Sequence, residues 1–387
     1  MIPYGKQNIN EADIKAVVNV LNSDFLTQGP QVSLFEKCIS EYCGSSYAVS
    51  SNSATSSLHI ACMALGLSDN DYLWTSPNSF VASANCALYC NAHVDFVDID
   101  PLTYNLSSEK LEEKLIKAKL LGKLPKVLIP VHFAGQSCDM VRIKQLSDEY
   151  GFSIIEDASH AIGAKYNDFS LGCCQYSDIT VFSFHPVKII TTAEGGVATT
   201  NSEILAKKMR LLNSHGITRD QKLMIKPQNN SSYYQQILLG FNYRMTDLQA
   251  ALGTSQLKRV DEFVAKRHLL KKRYDSALVD LPIKLPYQSK FCYSSIHLYP
   301  IKIEDDGTKN KINRDIVFDK LRENDIGVNI HYIPIHTHPY YQDLGFRIGD
   351  FPNAENFYDQ AITLPLFPSM TFEQQDYIIN TLKEILK

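Results

Sequence analysis

The sequence of 387 residues predicts an α/β fold with a mainly parallel sheet, followed by a smaller α+β domain. Between residues 47 and 200, short runs rich in β-branched residues alternate with segments of helical periodicity, which is the pattern of strand–helix–strand units. From about residue 256 the spacing of the apolar residues changes. The chain is also longer than a typical single domain, which favours a second domain. We therefore expect a large domain over residues 1–255 and a small C-terminal domain over residues 256–387.

The N-terminal segment is predicted to contain one helix. After Asn10, a candidate N-cap, apolar residues recur at helical spacing at Ile14, Val17 and Leu21. The next segment, residues 24–30 with the sequence DFLTQGP, contains a Gly-Pro pair that favours a turn. We therefore expect the helix to end before this segment.

Seven strands and four helices are predicted between residues 47 and 200. The strands are residues 47–50, 72–75, 94–99, 126–133, 153–156, 179–184 and 197–200, and the helices are residues 54–65, 80–89, 108–121 and 140–150. Sheets of this kind carry ligands beyond the carboxyl ends of their strands. Polar residues that follow these strands are therefore the first candidates for a functional site.

The second half of the chain shows fewer regular patterns. Residues 219–237 are polar and predict a long surface loop. The final helix is predicted to begin at Thr371, because the sequence TFEQ has the form of a capping box. Between them we expect a helical stretch over residues 246–277, a strand near 297–303, a helix near 314–324 and an extended segment at 328–333.

The composition excludes several classes of protein. A hydrophobic fraction of 44% with 21% charged residues is that of a globular protein and excludes a disordered chain. The 38 Lys and Arg residues do not exceed the 42 Asp and Glu residues, which argues against a nucleic-acid-binding protein. The sequence shows neither a signal-peptide pattern nor an apolar run of membrane-spanning length, and its nine cysteines form no C-x-x-C pair. We expect a cytoplasmic protein with buried free thiols.

The first candidate site is the start of the helix after the first strand, residues 51–56 with the sequence SNSATS. Small polar residues such as Ser53 and Thr55 at a helix N-terminus offer hydroxyls and free backbone N–H groups, which together with the helix dipole bind anions. The alternative is an ordinary helix cap.

Two ionisable residues follow predicted strands. Asp157 ends an apolar strand, where a buried carboxylate needs a cation or hydrogen-bond donors. Lys188 is the sole Lys or Arg between Lys165 and Lys207, and its neighbours in sequence are apolar. A lysine in apolar surroundings has a depressed pKa and acts as an amine nucleophile. The alternatives are a capped turn for Asp157 and a solvated side chain for Lys188.

A fourth candidate is Arg244, which follows the polar loop and is suited to bind a phosphate or a carboxylate. The alternative is an ion pair at the start of a helix that Thr246 caps. An anion site, a buried carboxylate, an amine in apolar surroundings and a cation are what a pyridoxal phosphate enzyme needs. Phe80 offers a flat face on which the cofactor ring can stack.

Signatures of other chemistries are absent from the sequence. There is no G-x-G-x-x-G, Walker A, H-E-x-x-H or G-x-S-x-G motif. The spacing of His331, His336 and His338 matches no standard zinc pattern, so no metal site is predicted.

The motifs resemble those of the DegT/DnrJ/EryC1/StrS sugar aminotransferases. The run SFHPVKIITTAEGG at residues 183–196 is similar to the lysine motif of that family. Four further motifs match in the family's order, namely NSAT at 52–55, EDASHA at 156–161, NYRMTDLQAA at 242–251 and HYIP at 331–334. The resemblance covers nearly the whole chain and implies a fold-type-I aminotransferase that forms a homodimer with shared active sites.

The resemblance also implies roles for individual residues. Lys188 would hold pyridoxal 5'-phosphate, Asp157 would pair with its ring nitrogen, and Phe80 would stack on the ring, where many relatives have Trp. Further cofactor contacts are implied for Ser53, Ala54, Thr55, His160 and Ser183, and for Asn242 and Arg244 of a neighbouring subunit. The sugar-nucleotide pocket would be lined by Tyr4, Asp24, Phe25, Leu26, Thr27, His331, Tyr332, Ile333 and Pro334.

Within the family, residues 24–30, 130–137 and 215–220 resemble the branch of pseudaminic acid biosynthesis. This implies transfer of the amino group of L-glutamate to C4 of a UDP-linked 4-keto-6-deoxy amino sugar. One alternative is an aminotransferase for another nucleotide-linked keto sugar, such as the D-configured isomer. A second is a sugar dehydratase, against which Lys188 argues because those relatives have His in its place. A third is a cofactor-binding protein without enzymatic activity.

Overall fold

The fold was obtained as a computed structural model, which describes residues 1–226, 232–303 and 313–387. The strands are β1 (Tyr47–Ser51), β2 (Tyr72–Thr75), β3 (His93–Phe96), β4 (Val127–Ile129), β5 (Ser153–Asp157), β6 (Lys165–Tyr166), β7 (Phe169–Ser170), β8 (Ile179–Ser183), β9 (Gly196–Thr200), β10 (Ile217–Thr218), β11 (Gln235–Gln236), β12 (Ile283–Lys284), β13 (Cys292–Tyr293), β14 (Tyr299–Ile303) and β15 (Ala361–Leu364).

The helices alternate with the strands in the first half of the chain. They are α1 (Glu11–Leu21), α2 (Pro30–Cys43), α3 (Ala54–Ala64), α4 (Ala82–Tyr89), α5 (Ser108–Leu121), α6 (Met140–Tyr150), α7 (Glu203–Leu212), α8 (Asp247–Leu257), α9 (Val260–Leu278), α10 (Arg314–Glu323), α11 (Pro339–Asp343), α12 (Pro352–Gln360) and α13 (Phe372–Ile385).

The seven predicted strands form one sheet in the order β1-β9-β8-β5-β4-β2-β3. Its neighbours pair in parallel from β3 through β8, whereas β9 runs antiparallel to both β8 and β1. The predicted α/β class with a mainly parallel sheet is confirmed. The carboxyl ends of β1, β2, β4, β5 and β8 consequently meet at one edge.

Both faces of the sheet are buried, because successive side chains along a strand point to opposite sides. Ile154 and Phe182 belong to one core cluster, which includes Phe35 of α2, and Ile155 and Val181 belong to the other, with helices α3, α4 and α7. The sheet is therefore fixed between two helical layers, which gives the loops at its edge a rigid support.

Helix caps agree with the sequence patterns. Asn10 accepts a hydrogen bond from the backbone N–H of Asp13, whose carboxylate accepts one from the N–H of Asn10, so α1 begins with a capping box. Thr371 and Gln374 form the same arrangement at α13. Both predicted helix starts are confirmed.

Several predicted boundaries are wrong. The strand expected at residues 126–133 ends at Ile129, because Pro130 lacks the N–H that a ladder requires. The long helix expected over 246–277 is two helices, α8 and α9, which meet at Lys258 and Arg259. The extended segment at 328–333 pairs through a single bridge, from Asn329 to Thr363. Helix α2 was not predicted at all.

The predicted loop at 219–237 lies partly outside the described residues, which omit 227–231. At its ends, β10 and β11 pair as a short antiparallel ribbon.

A third core cluster fills the C-terminal part of the chain. It begins at Leu270 of α9 and includes β14, β15 and α13, whereas Val260 and Phe263 at the start of α9 pack in the first cluster. The division at residues 255 and 256 stays a prediction.

The nine cysteines are free and are buried or half-buried. Among the described helices, none combines the length and the apolar character that crossing a membrane requires.

Candidate active site

A cavity of about 530 Å³ lies at the edge where the carboxyl ends of the strands meet. It is lined from the sheet by Asp157 at the end of β5, Ser183 at the end of β8 and Val131 after β4. The opposite wall comes from the C-terminal part of the chain, with His297 and residues 329–332. The cavity thus lies where the sheet topology predicts a ligand site.

Lys188 lines this cavity on the loop between β8 and β9. Its backbone N–H donates to the carbonyl of His185, which turns the chain so that the side chain faces the cavity. Burial lowers the pKa of the Lys188 amine to about 8, although the negative charge of Asp157 acts in the opposite direction. About a tenth of the amine is therefore unprotonated, and nucleophilic, at pH 7, far more than for an ordinary lysine.

Asp157 is 5% exposed and is held by two donors. The hydroxyl of Ser83 donates to Oδ2 at 2.6 Å and the backbone N–H of Ser159 donates to Oδ1 at 3.0 Å. Ser83 also exchanges a hydrogen bond with Ser79 at 2.8 Å. These contacts fix a carboxylate in the wall of the cavity that Lys188 also lines.

The anion cradle forms as the sequence predicts. Ser53 caps α3 by accepting from the N–H of Ser56 at 3.1 Å, while Ala54 and Thr55 occupy the first turn, where backbone N–H groups have no partner within a helix. Gly196 pairs with both Ser51 and Ser183, and a Cβ at Gly196 would lie 2.5 Å from the backbone nitrogen of Ala54. This close approach brings the hydroxyl of Ser183 and the start of α3 to the same end of the cavity.

Aromatic residues form the rim and the far wall. Phe80 lines the cavity yet is 60% exposed, so one ring face is open to a ligand. The hydroxyl of Tyr332 pairs with Nε2 of His160 at 3.0 Å, and Tyr4 packs 5.4 Å from the ring of His331. These are residues that the sequence assigned to the cofactor and the substrate.

The two histidines are buried and neutral. Burial lowers the pKa of His160 well below its ordinary value and that of His331 to about 3, in both cases with a further contribution from the positive charge of Lys188. Nδ1 of His160 accepts from the N–H of Ala134 at 3.3 Å, and Nδ1 of His331 pairs with the hydroxyl of Thr363 at 2.9 Å. The cavity wall therefore offers neutral imidazoles, not cations.

The structure brings together most but not all of the predicted residues. Eleven line the cavity, namely Tyr4, Ser53, Ala54, Thr55, Phe80, Asp157, His160, Ser183, Lys188, His331 and Tyr332. Ile333 and Pro334 continue the chain from Tyr332 without lining the cavity.

Residues 24–27 and the pair Asn242 and Arg244 lie elsewhere in the single chain. Asp24 and Phe25 line a separate cavity of about 600 Å³ between α1 and α8, and the carbonyl of Leu26 accepts from the N–H of Asp247. Thr27 bridges to Thr246, Asn242 bridges to Ser214, and Arg244 donates to the hydroxyl of Ser214 at 3.1 Å. Their implied contacts with the cofactor and the substrate stay predictions.

Sequence reasoning overlooked several residues of the cavity. Ser79 and Ser83 follow β2, as Phe80 does, and the position after a strand end was a usable signal. Glu194 lies within the lysine motif. His297 and Asn329 come from the C-terminal part of the chain, where no sequence pattern linked them to the site.

The residues fit pyridoxal phosphate. The cradle of Ser53, Ala54, Thr55 and Ser183 suits its phosphate, because it combines free N–H groups with hydroxyls and no carboxylate belongs to it. The cavity also holds an amine of lowered pKa, a fixed carboxylate and one open aromatic face, which a pyridine aldehyde requires.

The chain matches the DegT/DnrJ/EryC1/StrS aminotransferase family over residues 7–383. It is 37% identical to the UDP-4-amino-4,6-dideoxy-N-acetyl-beta-L-altrosamine transaminase of Campylobacter jejuni, over 100% of this chain and 98% of that protein.

Solved structures show the same fold. Helicobacter pylori PseC, an aminotransferase of pseudoaminic acid biosynthesis, superposes with a TM-score of 0.89 at 31% identity, over 100% of this chain and 99% of that one. The PLP-form of the putative sugar aminotransferase Spr1654 from Streptococcus pneumoniae gives 0.88 at 30% identity, over 99% and 98% of the two chains. The predicted fold-type-I aminotransferase architecture is confirmed. The chain belongs to the DegT/DnrJ/EryC1/StrS aminotransferase family, the pyridoxal phosphate-dependent sugar aminotransferases that its motifs resemble.

Proposed function

We propose that the protein transfers the amino group of L-glutamate to C4 of UDP-2-acetamido-2,6-dideoxy-β-L-arabino-hex-4-ulose, in pseudaminic acid biosynthesis. The single observation that carries the chemistry is the half-buried Lys188 amine, of pKa about 8, in a cavity that also holds Asp157 and an anion cradle. The relatives named for the altrosamine transaminase and for PseC support the choice of substrate.

When bound, pyridoxal phosphate supplies an aldehyde for the amine and a ring that accepts electrons from the substrate carbon. Lys188 would hold the cofactor and would also move a proton at the substrate carbon. A lysine of lowered pKa suits both tasks, because it gives up and takes back a proton near neutral pH.

Asp157 would hold the proton on the ring nitrogen. Its carboxylate is fixed by Ser83 and Ser159, and it is 5% exposed, so water does not compete for the proton. Phe80 would cover one face of the ring. The cradle at α3 would anchor the phosphate and thereby the whole ring.

The proposal includes a homodimer with shared active sites in the cytoplasm. Arg244 and residues 24–27 do not reach the cavity of their own chain, which is what residues that serve a neighbouring subunit would show. Apolar side chains of α1 are exposed, among them Ile14 (49%) and Leu21 (56%), and suit a contact between copies.

An absorption spectrum tests the proposal. We expect purified protein loaded with pyridoxal phosphate to show an absorption band near the edge of the visible range. The band should disappear when L-glutamate is added and return when the L-configured UDP-4-keto sugar is added. Return with the D-configured isomer alone would assign the enzyme to another nucleotide-linked keto sugar. The absence of a band after addition of the cofactor would overturn the role of Lys188.

A further inference from the structure

His297 is a buried residue of the cavity wall to which the reaction outlined above assigns no task. It is 5% exposed, it lines the cavity, and its Nδ1 is buried with no hydrogen-bond partner. Within the described residues its Nε2 has no protein partner either. The unpaired, fully buried Nδ1 is costly, and Nε2, which keeps some accessible surface, is the ring nitrogen that a ligand in the cavity can reach.

Two other histidines of the wall already have partners, at both ring nitrogens of His160 and at one of His331. His160 uses Nδ1 for the N–H of Ala134 and Nε2 for the hydroxyl of Tyr332. His331 uses Nδ1 for Thr363. His297 lies with its ring centroid 4.5 Å from that of His160, so it is held by packing while its nitrogens stay free.

The charges around His297 favour an anionic ligand. The cationic groups that act on it are Lys188 and Arg267, whereas His160 and His331, which also act on it, are neutral near neutral pH. Burial and these neighbours lower its pKa well below the ordinary value, so it is a neutral donor of one N–H.

Arg267 supports this wall from behind. It is 1% exposed and forms no ion pair within the described residues, while its Nη1 donates to the carbonyl of His297 at 3.1 Å and to that of Leu366 at 2.9 Å. The guanidinium thus fixes the backbone of His297 and adds positive potential behind its ring.

An amino-acid donor brings a carboxylate into this cavity, and no arginine is among the described residues that line it. We propose that His297 binds a carboxylate of the amino-acid donor, through an N–H···O hydrogen bond, and so selects and orients that substrate. The inference rests on the proposed function in requiring an amino-acid donor, but not on the identity of the keto sugar. The other anion of the reaction, the diphosphate of a sugar nucleotide, has the same hydrogen-bonding chemistry and must be distinguished by experiment.

The test uses the full-length enzyme loaded with pyridoxal phosphate and two separate titrations. In the first, α-methyl-L-glutamate, which binds but has no α-hydrogen to lose, is titrated and its binding is monitored by absorbance. In the second, UDP is titrated and its binding is measured by calorimetry. The variants are His297→Phe, which keeps a ring against His160, and His297→Gln, which keeps an N–H donor, with the exposed His93→Gln as control.

In His297→Phe we expect the Kd of α-methyl-L-glutamate to rise by about tenfold or more, the effect of losing a hydrogen bond to a charged group. His297→Gln should retain part of the affinity, and the Kd of UDP should stay within about twofold in all variants. Unchanged binding of α-methyl-L-glutamate would overturn the proposal. Weakened binding of UDP alone would assign His297 to the diphosphate and would also overturn it.

A measurement on the wild-type enzyme covers the case in which His297→Phe does not fold. In protein labelled with ¹⁵N-histidine, the ring nitrogens of His297, assigned by their loss in His297→Gln, should shift when α-methyl-L-glutamate is added. No shift would contradict the contact. Failure of the proposed function is read separately, from a panel of keto sugars, and leaves both titrations valid.

Discussion

At the scale of single residues, the chemistry depends on how the fold treats one amine. Lys188 is half-buried in the cavity wall, and the loss of hydration outweighs the favourable charge of Asp157, so its pKa falls from 10.5 to about 8. The sequence indicated apolar neighbours but not the depth of the cavity, which depends on residues more than a hundred positions away, such as His297 and His331. The motif alone predicts which residue supplies the amine, whereas the pKa of that amine depends on the tertiary structure.

This lowered pKa predicts how the rate of cofactor loading depends on pH. Only the unprotonated amine of Lys188 attacks an aldehyde, so the rate at which cofactor-free protein develops its absorption band with pyridoxal phosphate should rise with pH and level off above about pH 8. Stopped-flow absorbance measures this rate. Lys188→Ala should show no band, while Lys165→Ala, at an exposed strand residue, should behave as wild type. A rate that kept rising up to pH 10 would contradict the lowered pKa.

At the scale of elements, the site depends on the close approach of strand β9 to the start of helix α3, which forms the anion cradle. Most strands and helices were predictable from a clear hydrophobic period, and the starts of α1 and α13 also from the caps at Asn10 and Thr371. Helix α2 was overlooked, although Gly29-Pro30 is also a helix start and Phe35 and Ile39 carry a helical period. The Gly-Pro pair was interpreted as a turn, and local chemistry alone does not separate the two.

The contact between β9 and α3 predicts the effect of Gly196→Ala. Its Cβ would lie 2.5 Å from the backbone nitrogen of Ala54 and 2.6 Å from its Cα, so strand and helix must separate. We expect a loss of about 1–3 kcal/mol in the free energy of unfolding and weaker binding of pyridoxal phosphate. Chemical denaturation and a cofactor titration measure the two effects. Gly5→Ala is the control, since its nearest neighbour lies 3.9 Å away.

A buried carboxylate joins α1 to the helices behind the site. Asp13 is fully buried and accepts from Ser255 at 2.6 Å, from Gln256 at 2.6 Å and from the guanidinium of Arg259 at 2.5 Å. Asp13→Ala removes the acceptor of these donors and the counter-ion of the half-buried Arg259, which keeps its hydrogen bonds to Asn8, so we expect a loss of about 3 kcal/mol in the free energy of unfolding. Urea denaturation checks this, with the exposed Glu11→Ala as control. A loss of the same size in both variants would show that the buried pair is not responsible.

At the scale of the whole molecule, a single chain places the cofactor residues together but leaves part of the predicted set at a distance. The motif at 242–251 was recognisable in the sequence, yet in the structure Arg244 is occupied with Ser214 and does not line the cavity. The family resemblance implied that a neighbouring subunit supplies Arg244, but a sequence does not show how two copies of the chain meet. That question is geometric, and it leads to a prediction about mixed dimers.

If Arg244 serves the site of a neighbouring subunit, two inactive variants should restore each other. Lys188→Ala and Arg244→Ala homodimers should each have little activity. A dimer with one chain of each kind has one site with both wild-type residues and one site with both lesions. After co-expression, random pairing should therefore give about a quarter of the wild-type activity per chain, since half of the dimers are mixed and each has one intact site. Mixing Lys188→Ala with Asp157→Ala is the control, because both residues line the same chain's cavity and no intact site can form. Activity no higher in the first mixture than in the control would place Arg244 in the site of its own chain.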